Sequence, residues 1–267
     1  MRGANQFTHP WMLDDITMLD ALIAQGLSYD IIAKHIDRSY SSLATKASRL
    51  NNGRRTRTYN LELTPEKAYL LGVLCGDGYL TPSVFGLKAN DEDFLKEFRK
   101  CLTKVYGVLT KVVYNTYANQ FQLETKRKNV RRNLLEFGVR DKNGNWHVPS
   151  EILKCKDETV AGSFLRGFFD SEGSVCEYLV RGFSKNFQGL SEVKELLDRL
   201  GIKSRIVDTT KSTHVYTLCI TGYENIKCFS IKVGFSIARK QEKLNYSLKN
   251  LWKNQRLRDE QNKTSYV

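Results

Sequence analysis

The 267-residue sequence lacks the features that mark secreted, disulfide-bonded or membrane proteins. Its six cysteines are scattered without Cys-x-x-Cys spacing, so neither a zinc site nor a disulfide framework is predicted. The four histidines form no ligand pattern. No apolar run is long enough to span a bilayer, and the N-terminus shows no signal peptide. We therefore expect an intracellular protein in a reducing compartment, with every cysteine except Cys155 reduced and in the core.

The chain also has fewer acidic residues than basic ones. The chain has 29 Asp and Glu residues against 42 Lys and Arg residues, which gives a formal net charge of +13. The basic residues crowd into two short stretches: Lys46, Arg49, Arg54, Arg55 and Arg57, and Lys126, Arg127, Lys128, Arg131 and Arg132. Such a field attracts a polyanion, because phosphate neutralisation dominates non-specific DNA affinity. A solvated surface is the alternative interpretation of each stretch.

Two segments, residues 70–78 and 165–173, repeat one pattern. Each is largely apolar, places two small residues four positions apart, and ends in an acid followed by a glycine. Residues four apart share one face of a helix, so each segment predicts a helix with a smooth stripe that another backbone can approach closely. The final glycines, Gly78 and Gly173, suit left-handed helix caps.

The acids of the two segments, Asp77 and Glu172, come together if the two stripes pack on each other. Each acid then lies at the negative end of a helix dipole, where a carboxylate is unfavourable. Two carboxylates that repel each other need a cation, and a divalent metal is the natural one. For either segment alone, a solvated turn is the alternative.

The repeat extends beyond these segments. Asp77 and Glu172 lie 95 positions apart (172 minus 77), and the alternating runs at 120–123 and 215–218 share this offset. A fixed period predicts one structural unit used twice. Each unit contains a motif helix, a strand pair, an amphipathic helix, two more strands (109–114 and 120–125; 204–208 and 214–221) and a closing helix. The predicted fold is α+β, with antiparallel sheets that carry helices on one side and leave one face free for a partner.

A separate unit precedes the repeat. Residues 12–25, 29–36 and 40–50 read as short helices, and the phrase Gly-x-Ser-x-x-x-Ile-Ala-x-x-x-x-Arg-Ser at 26–39 looks like a helix-turn-helix. Its last helix would enter the major groove, with Tyr40 and Ser41 among the residues at base edges and Lys46 and Arg49 on phosphates. A helical protein-interaction module is the alternative. The predicted domains are residues 1–50, a basic linker 51–62 with Arg54, Arg55 and Arg57 along a groove, and half-domains 63–155 and 156–267.

Residues 60–252 resemble the LAGLIDADG homing endonucleases, specifically the single-chain kind with two motifs. The resemblance implies that the motif helices form the central interface and that two sheets form a saddle over double-stranded DNA. It also implies that Asp77 and Glu172 bind Mg²⁺, for which Mn²⁺ or Ca²⁺ substitutes in binding, and direct water onto one scissile phosphate per strand. The backbone carbonyls of Gly76 and Ser171 complete the metal shell. The product is a staggered double-strand break with short 3′ overhangs, made by a monomer.

The resemblance also implies one basic residue per half near the active site. Lys240 matches by its setting, and Lys142 is its counterpart or an ordinary phosphate contact. One position departs from the family pattern, because the sixth residue of the motif is Asp170 in the second half but Cys75 in the first. Bidentate side chains in and beside the strands are expected to read bases in the major groove. The candidates are Lys88, Gln120, Gln122, Lys126, Arg181, Lys185 and Arg205.

Two other functions stay open at the level of the sequence. One is an RNA-binding intron maturase, since basic sheets also suit RNA phosphates. The other is a non-cleaving DNA-binding regulator that uses the same fold with a helix-turn-helix. The acids retained at the ends of both motifs favour cleavage. The chain ends show no intein splicing residues, so we expect a free-standing or intron-encoded enzyme.

Overall fold

The computed structural model describes residues 10–24, 29–50, 62–139, 145–210 and 214–264, in part as backbone only. The chain divides into two compact units, Met1–Thr58 and Tyr59–Val267, and the division falls inside the segment that the sequence predicts as a linker. None of the helices in the described ranges is long and apolar enough to cross a membrane.

The N-terminal unit contains three helices at the predicted places: α1 (Leu13–Ala24), α2 (Tyr29–Ile36) and α3 (Tyr40–Leu50). Its core is formed by buried residues from all three: Leu19, Ile32, Leu43 and Ala47. Ser39 caps α3, because its hydroxyl accepts a hydrogen bond from the Ser42 amide at 3.2 Å. The arrangement of three short helices is confirmed, and the helix-turn-helix role stays a prediction.

The larger unit repeats one order of elements. Its first half contains α4 (Pro65–Leu74), β1 (Gly78–Leu80), β2 (Phe85–Ala89), α5 (Glu92–Tyr106), β3 (Val113–Asn115), β4 (Gln120–Thr125), α6 (Lys128–Glu136) and α7 (Ser150–Lys154). Its second half contains α8 (Glu158–Glu172), β5 (Gly173–Cys176), β6 (Leu179–Ser184), α9 (Phe187–Arg199), β7 (Arg205–Thr210), β8 (Val215–Thr221), α10 (Tyr223–Lys232) and α11 (Ala238–Thr264).

The two sheets have the same topology. Both are antiparallel with four strands, in the orders β1-β2-β4-β3 and β5-β6-β8-β7. One face of each sheet packs into the core, where alternate strand residues such as Leu87, Leu123, Val180 and Leu218 are fully or almost fully buried. The shared strand order confirms that one unit is used twice.

Local sequence signals account for the helices that carry the core. Thr64 caps α4 through a hydrogen bond from the Lys67 amide, and proline occupies the first helical position. In α5 the residues Phe94, Leu95, Phe98 and Leu102 recur at helical spacing and are all buried against the first sheet and α4.

The structure differs from the sequence expectations at three places. The strand predicted to begin at residue 109 begins at Val113, because β3 pairs with β4 over only three residues. Cys176 was expected in the core, but it is exposed at the end of β5 on the face opposite buried Val175. The 27-residue helix α11 was not anticipated, because its polar sequence shows a weak apolar stripe.

Candidate active site

The motif helices α4 and α8 pack closely along their small residues. A Cβ atom placed on Gly72 would lie 2.0 Å from the Phe164 carbonyl oxygen, and one on Gly167 would lie 2.3 Å from the Tyr69 carbonyl oxygen. At the lower end, a Cβ atom on Gly76 would lie 2.4 Å from the Cβ atom of Ser171. The two backbones therefore approach more closely than any larger residue allows, which confirms the predicted stripe-on-stripe contact.

The glycines that follow the acids have a different role from the one expected. Gly78 and Gly173 are not left-handed caps, since neither has a positive φ, and each begins a strand. They are required by space: a Cβ atom on Gly78 would lie 2.8 Å from the Val73 carbonyl oxygen, and one on Gly173 would lie 2.3 Å from that of Phe169. The prediction of left-handed caps was wrong because α8 continues directly into β5, and a turn at residues 75–77 leads from α4 into β1.

The two acids lie close together where the motif helices end. Asp77 lies in the turn after α4, and Glu172 is the last residue of α8. Burial raises the pKa of Asp77, against the opposing charge of Lys240. Burial and, after it, the charge of Asp77 raise the pKa of Glu172 to about 7, again against Lys240. The structure thus contains the pair of mutually repelling carboxylates that the motif pattern predicts.

Lys240 is placed beside these acids by the first turn of α11. Its side chain is buried, with the residue only 6% exposed, and its ammonium donates to the carbonyl oxygens of Asp170 at 2.6 Å and Phe169 at 3.2 Å. These carbonyls belong to the last turn of α8, where helix acceptors lack intrahelical partners and carry partial negative charge. Burial lowers the pKa of Lys240, while the nearby charges of Asp170 and Asp77 oppose that shift.

Asp170, the acid that the first motif replaces with Cys75, has a structural network of its own. Its buried carboxylate accepts hydrogen bonds from the Tyr69 hydroxyl at 2.9 Å, the Ser236 amide at 3.0 Å and the Ser236 hydroxyl at 2.5 Å. Burial raises the pKa of Asp170 to about 6, although these hydrogen bonds lower it. Cys75 donates its thiol to the Leu71 carbonyl at 3.4 Å instead. The two motif helices therefore end in chemically different surroundings.

An open pocket of about 290 Å³ connects Asp77 to the first sheet. Its lining includes Asp77, Ser171 and Lys240 together with two of the predicted DNA-binding residues, Lys88 and Gln120. The tertiary structure thus gathers residues separated by up to 163 positions (240 minus 77) around one opening.

The remaining predicted DNA-binding residues fall on the free faces of the sheets or beside them. Lys88 and Gln122 are cross-strand partners on the face opposite Leu87 and Leu123. Arg181 and Arg205 both pair with Cys219 from opposite sides and so share one face of the second sheet. Lys126 and Lys185 are exposed just after β4 and β6.

In the N-terminal unit Tyr40 and Ser41 are exposed at the start of α3, and the Lys46 ammonium lies 5.6 Å from the Trp11 ring centroid.

Several predicted residues lie outside what the structure describes. Arg54, Arg55, Arg57 and Lys142 fall in segments outside the described ranges, and the side chain of Arg49 is likewise not described. Their proposed contacts stay predictions.

Sequence reasoning missed Tyr79 and Glu124 on the free face of the first sheet. The Glu124 Oε1 atom accepts hydrogen bonds from the Tyr79 hydroxyl at 2.5 Å and from the Gln122 amide nitrogen at 2.7 Å. The Lys88 ammonium lies 5.4 Å from the centroid of the Tyr79 ring. Two predicted base-reading side chains, Gln122 and Lys88, are therefore held in place by neighbours. The period-2 spacing of 120, 122 and 124 is the signal that could have identified Glu124.

The carboxylate and carbonyl oxygens at the ends of the two motifs suit a hard divalent cation that also binds substrate. Within the described ranges no three His, Cys, Asp or Glu side chains cluster as a metal site. Asp77 and Glu172 supply two carboxylates, and the backbone carbonyls of Gly76 and Ser171 are adjacent in the chain. Mg²⁺ is commonly held by one or two carboxylates, with waters and substrate phosphates as its other ligands. The residues present fit that mode of binding.

Comparison with known proteins identifies the fold. Residues 159–234, from α8 to just beyond α10, match the family model of a LAGLIDADG-like domain. The second half of the larger unit is therefore similar to a LAGLIDADG-like domain. The repeated strand order extends this architecture to the first half-domain.

Relatives of this chain occur in archaea. An uncharacterized protein of Methanocaldococcus jannaschii is 29% identical over 270 residues, which cover 90% of the chain and 95% of that protein. A probable translation initiation factor IF-2 of Thermococcus kodakarensis is 32% identical over 187 residues, which cover 68% of the chain and 15% of that protein.

Solved structures of the homing endonuclease I-DmoI share the fold. The complex of I-DmoI with DNA and Mn has a TM-score of 0.51 at 19% identity, and the match covers 64% of this chain and 97% of that one. The complex with DNA and Ca has a TM-score of 0.54 at 18% identity, covering 69% and 98%. The predicted α+β fold with two LAGLIDADG half-domains is confirmed.

Proposed function

We propose that this protein is a site-specific homing endonuclease that makes a staggered double-strand break in a long DNA target. The observation that carries the proposal is the placement of two acids, Asp77 and Glu172, where the two motif helices end. The half-domains that contain these helices have sheets of the same topology. Two equivalent half-sites suit a duplex, whose two strands present one scissile phosphate each. The net charge of +13 and the sheet-face cations suit its phosphates.

The acids and the adjacent carbonyls would hold the metal ions. Asp77 and Glu172 would bind Mg²⁺ through their carboxylates, and the Gly76 and Ser171 carbonyls would complete the protein ligands. Bound there, Mg²⁺ supplies Lewis-acid stabilisation of charge on the phosphate and lowers the pKa of a water molecule. Burial and the charge of Asp77 raise the pKa of Glu172, and a bound cation would offset both by stabilising the ionised carboxylate.

The chain's own basic groups would stabilise the developing charge. The Lys240 ammonium, directed at the end of α8 by two carbonyls, lies in the pocket that also contains Asp77. From this position it would neutralise charge on the phosphate or orient the water that attacks it. Lys142 is the proposed counterpart for the other strand.

Sequence specificity would come from the free faces of the sheets. Lys88, Gln120 and Gln122 lie on the first sheet, and Arg181 and Arg205 on the second. Side chains of these types make bidentate or paired contacts with base edges in the major groove. Tyr79 and Glu124 would limit the rotamers of Gln122 and Lys88 and so sharpen base preference.

Cleavage of a randomised double-stranded DNA library with Mg²⁺ tests the proposal. The wild type is expected to cut both strands at one long site, and Asp77→Asn and Glu172→Gln to lose at least about 1,000-fold in rate because each removes a metal ligand. Glu195→Gln, the same change at an exposed position on α9, serves as the matched control and should cut normally. Both site variants should still bind the duplex, since each removes a negative charge.

Two results would redirect the assignment. Tight binding of duplex DNA without any cutting by the wild type would indicate a non-cleaving regulator. Selective binding of structured RNA without DNA cleavage would indicate a maturase.

A further inference from the structure

The beginning of α11, which carries Lys240, is held by three carboxylates from other elements. Asp170 accepts hydrogen bonds from the amide and hydroxyl of Ser236. Asp93 accepts one from the Ala238 amide at 2.6 Å. Asp91 accepts two from the Arg239 guanidinium, at 2.6 and 2.7 Å, in bidentate geometry. Bidentate pairs of this kind fix orientation as well as distance.

Two of these carboxylates belong to the opposite half-domain. Asp91 and Asp93 lie at the start of α5 in the first half, whereas α11 ends the second half. The contacts Asp91–Arg239 and Asp93–Ala238 join residues 148 and 145 positions apart. We name the set of Asp91, Asp93, Ala238 and Arg239 the α5–α11 clasp.

The side chain of Asp91 contacts Arg239 and does not cap its own helix, α5. It occupies the N-cap position of α5, yet its side chain makes no capping hydrogen bond there. In contrast, Asp157 caps α8 by accepting from the Thr159 amide, and Asn186 caps α9 by accepting from the Gly189 amide. The Asp91 carboxylate is therefore directed at Arg239 and does not cap α5.

The clasp determines where the Lys240 ammonium lies. Lys240 directly follows Arg239, and its ammonium reaches the Asp170 carbonyl at 2.6 Å in the pocket that contains Asp77 and Ser171. A flexible lysine side chain needs a fixed backbone if its ammonium is to stay at one point. Any shift of the first turn of α11 away from α5 would move the ammonium relative to Asp77.

The corresponding contact of the other half is built differently. There the segment after α6 meets α9 through Glu192, which accepts from the Val148 amide at 2.8 Å and lies 3.4 Å from the His147 ring. Cys75 stands where the second motif has Asp170, and no carboxylate of α4 takes part among the described residues. Loss of the α5–α11 clasp is therefore expected to affect one half-site and not the other.

We propose that Asp91, Asp93 and Arg239 are positioning residues, which hold Lys240 in place for cleavage of one of the two DNA strands. This inference rests on the proposed endonuclease function. The competing role for Arg239, a direct phosphate contact, predicts the opposite behaviour of Asp91. Removal of Asp91 would then free Arg239 and strengthen DNA binding, whereas the clasp predicts unchanged binding and slower cleavage.

Strand-resolved, single-turnover cleavage of the duplex recovered from the library tests the inference. We expect Asp91→Ala and Arg239→Ala each to slow one strand cut about 10- to 100-fold through misplacement of Lys240. The other strand cut should stay within about twofold of the wild type, so nicked DNA accumulates. The double variant should be no slower than either single variant, because both act through one pair. Glu92→Ala, which removes a neighbouring acid paired with Lys96, is the matched control.

A chemical readout makes the test independent of cleavage. In the wild type Lys240 is buried and should react slowly with an amine-labelling reagent, as measured by mass spectrometry. In Asp91→Ala, but not in Glu92→Ala, labelling of Lys240 should rise at least severalfold. Unchanged labelling in Asp91→Ala would overturn the clasp even if the wild type cuts no DNA. Equal slowing of both strands, or tighter DNA binding by Asp91→Ala at full cleavage rate, would also overturn it. If the wild type cuts no DNA but labelling of Lys240 rises in Asp91→Ala, the proposed endonuclease function is refuted. The role of the α5–α11 clasp in holding Lys240 is then still supported.

Discussion

The half-buried carboxyl group of Glu172 lies beside that of Asp77 at the ends of two packed helices. Burial and this neighbouring charge raise the pKa of Glu172 from its ordinary value of 4.5 to about 7. In the absence of a cation, ionisation of the Glu172 carboxyl group is therefore disfavoured in the folded protein. Residues of this kind contribute to function and reduce stability.

The pH dependence of unfolding follows from the direction of that shift. Between pH 4.5 and about 7 the folded state binds more protons at Glu172 than the unfolded state, so its contribution to stability is present at low pH and is lost as pH rises. We expect Glu172→Gln to be more stable than the wild type at pH 8 without metal, by about 1–3 kcal/mol. The difference should shrink at pH 5, as measured by urea denaturation with a chelator present.

Metal addition supplies the control for that prediction. Mg²⁺ should stabilise the wild type at pH 8, because a ligand that binds only the folded state raises its stability. Glu172→Gln lacks one of the proposed metal ligands, so Mg²⁺ should leave its stability almost unchanged. A wild type and variant with the same pH dependence would show that neither burial nor the charge of Asp77 raises the pKa of Glu172 in the folded protein.

At the scale of elements, the contact between α4 and α8 depends on the absence of side chains at a few positions. Gly72 faces the carbonyl oxygen of Phe164 and the amide of Phe168, both backbone atoms that cannot turn aside. Close packing of this type tolerates added volume poorly. The motif glycines are therefore requirements of the interface between half-domains.

Gly72→Ala should destabilise the larger unit by about 3 kcal/mol, because its Cβ atom would lie 2.0 Å from the Phe164 carbonyl oxygen. The control is Gly138→Ala, where a Cβ atom meets nothing within 4 Å and the cost arises only from the positive φ of 60°. That cost is about 1–2 kcal/mol. Thermal or urea unfolding measures both variants, and equal losses would contradict the stripe-on-stripe contact.

Within the described parts of the chain, buried apolar residues form two separate hydrophobic cores. One is formed by Leu19, Ile32, Leu43 and Ala47 in the N-terminal unit, and the other lies wholly within the unit that begins at Tyr59. Because the two cores share no residue, the larger unit should fold without the smaller one.

Deletion of residues 1–58 should leave the cut positions unchanged, weaken DNA binding and shorten the protected region. The reason is that the motif acids lie in the larger unit, whereas the helix-turn-helix phrase and the basic stretch at 46–57 lie in the deleted segment. Footprinting and mapping of the cut ends measure both effects. Shifted cuts, or a footprint of unaltered length, would refute an accessory DNA-binding role for the N-terminal unit.

Features that rest on local patterns could be predicted from the order of the amino acids alone. Small residues at helical spacing predicted the α4–α8 contact, period-2 runs predicted most strands, and the 95-position offset predicted the duplicated unit. The pairing of Asp77 with Glu172 followed from these, since two matching helix ends must meet if their stripes pack. Each inference needed only short-range order and one repeat.

Features that depend on residues far apart in the sequence could be seen only in the folded chain. Gly78 and Gly173 each begin a strand, so they are not left-handed helix caps. Each is a glycine because nearby backbone atoms leave no room for a Cβ atom. The α5–α11 clasp, the buried place of Lys240 and the network of Asp170 join residues between 66 and 148 positions apart. No local periodicity encodes such contacts, because they arise from how segments distant in the sequence pack against each other and not from the preferences of either segment.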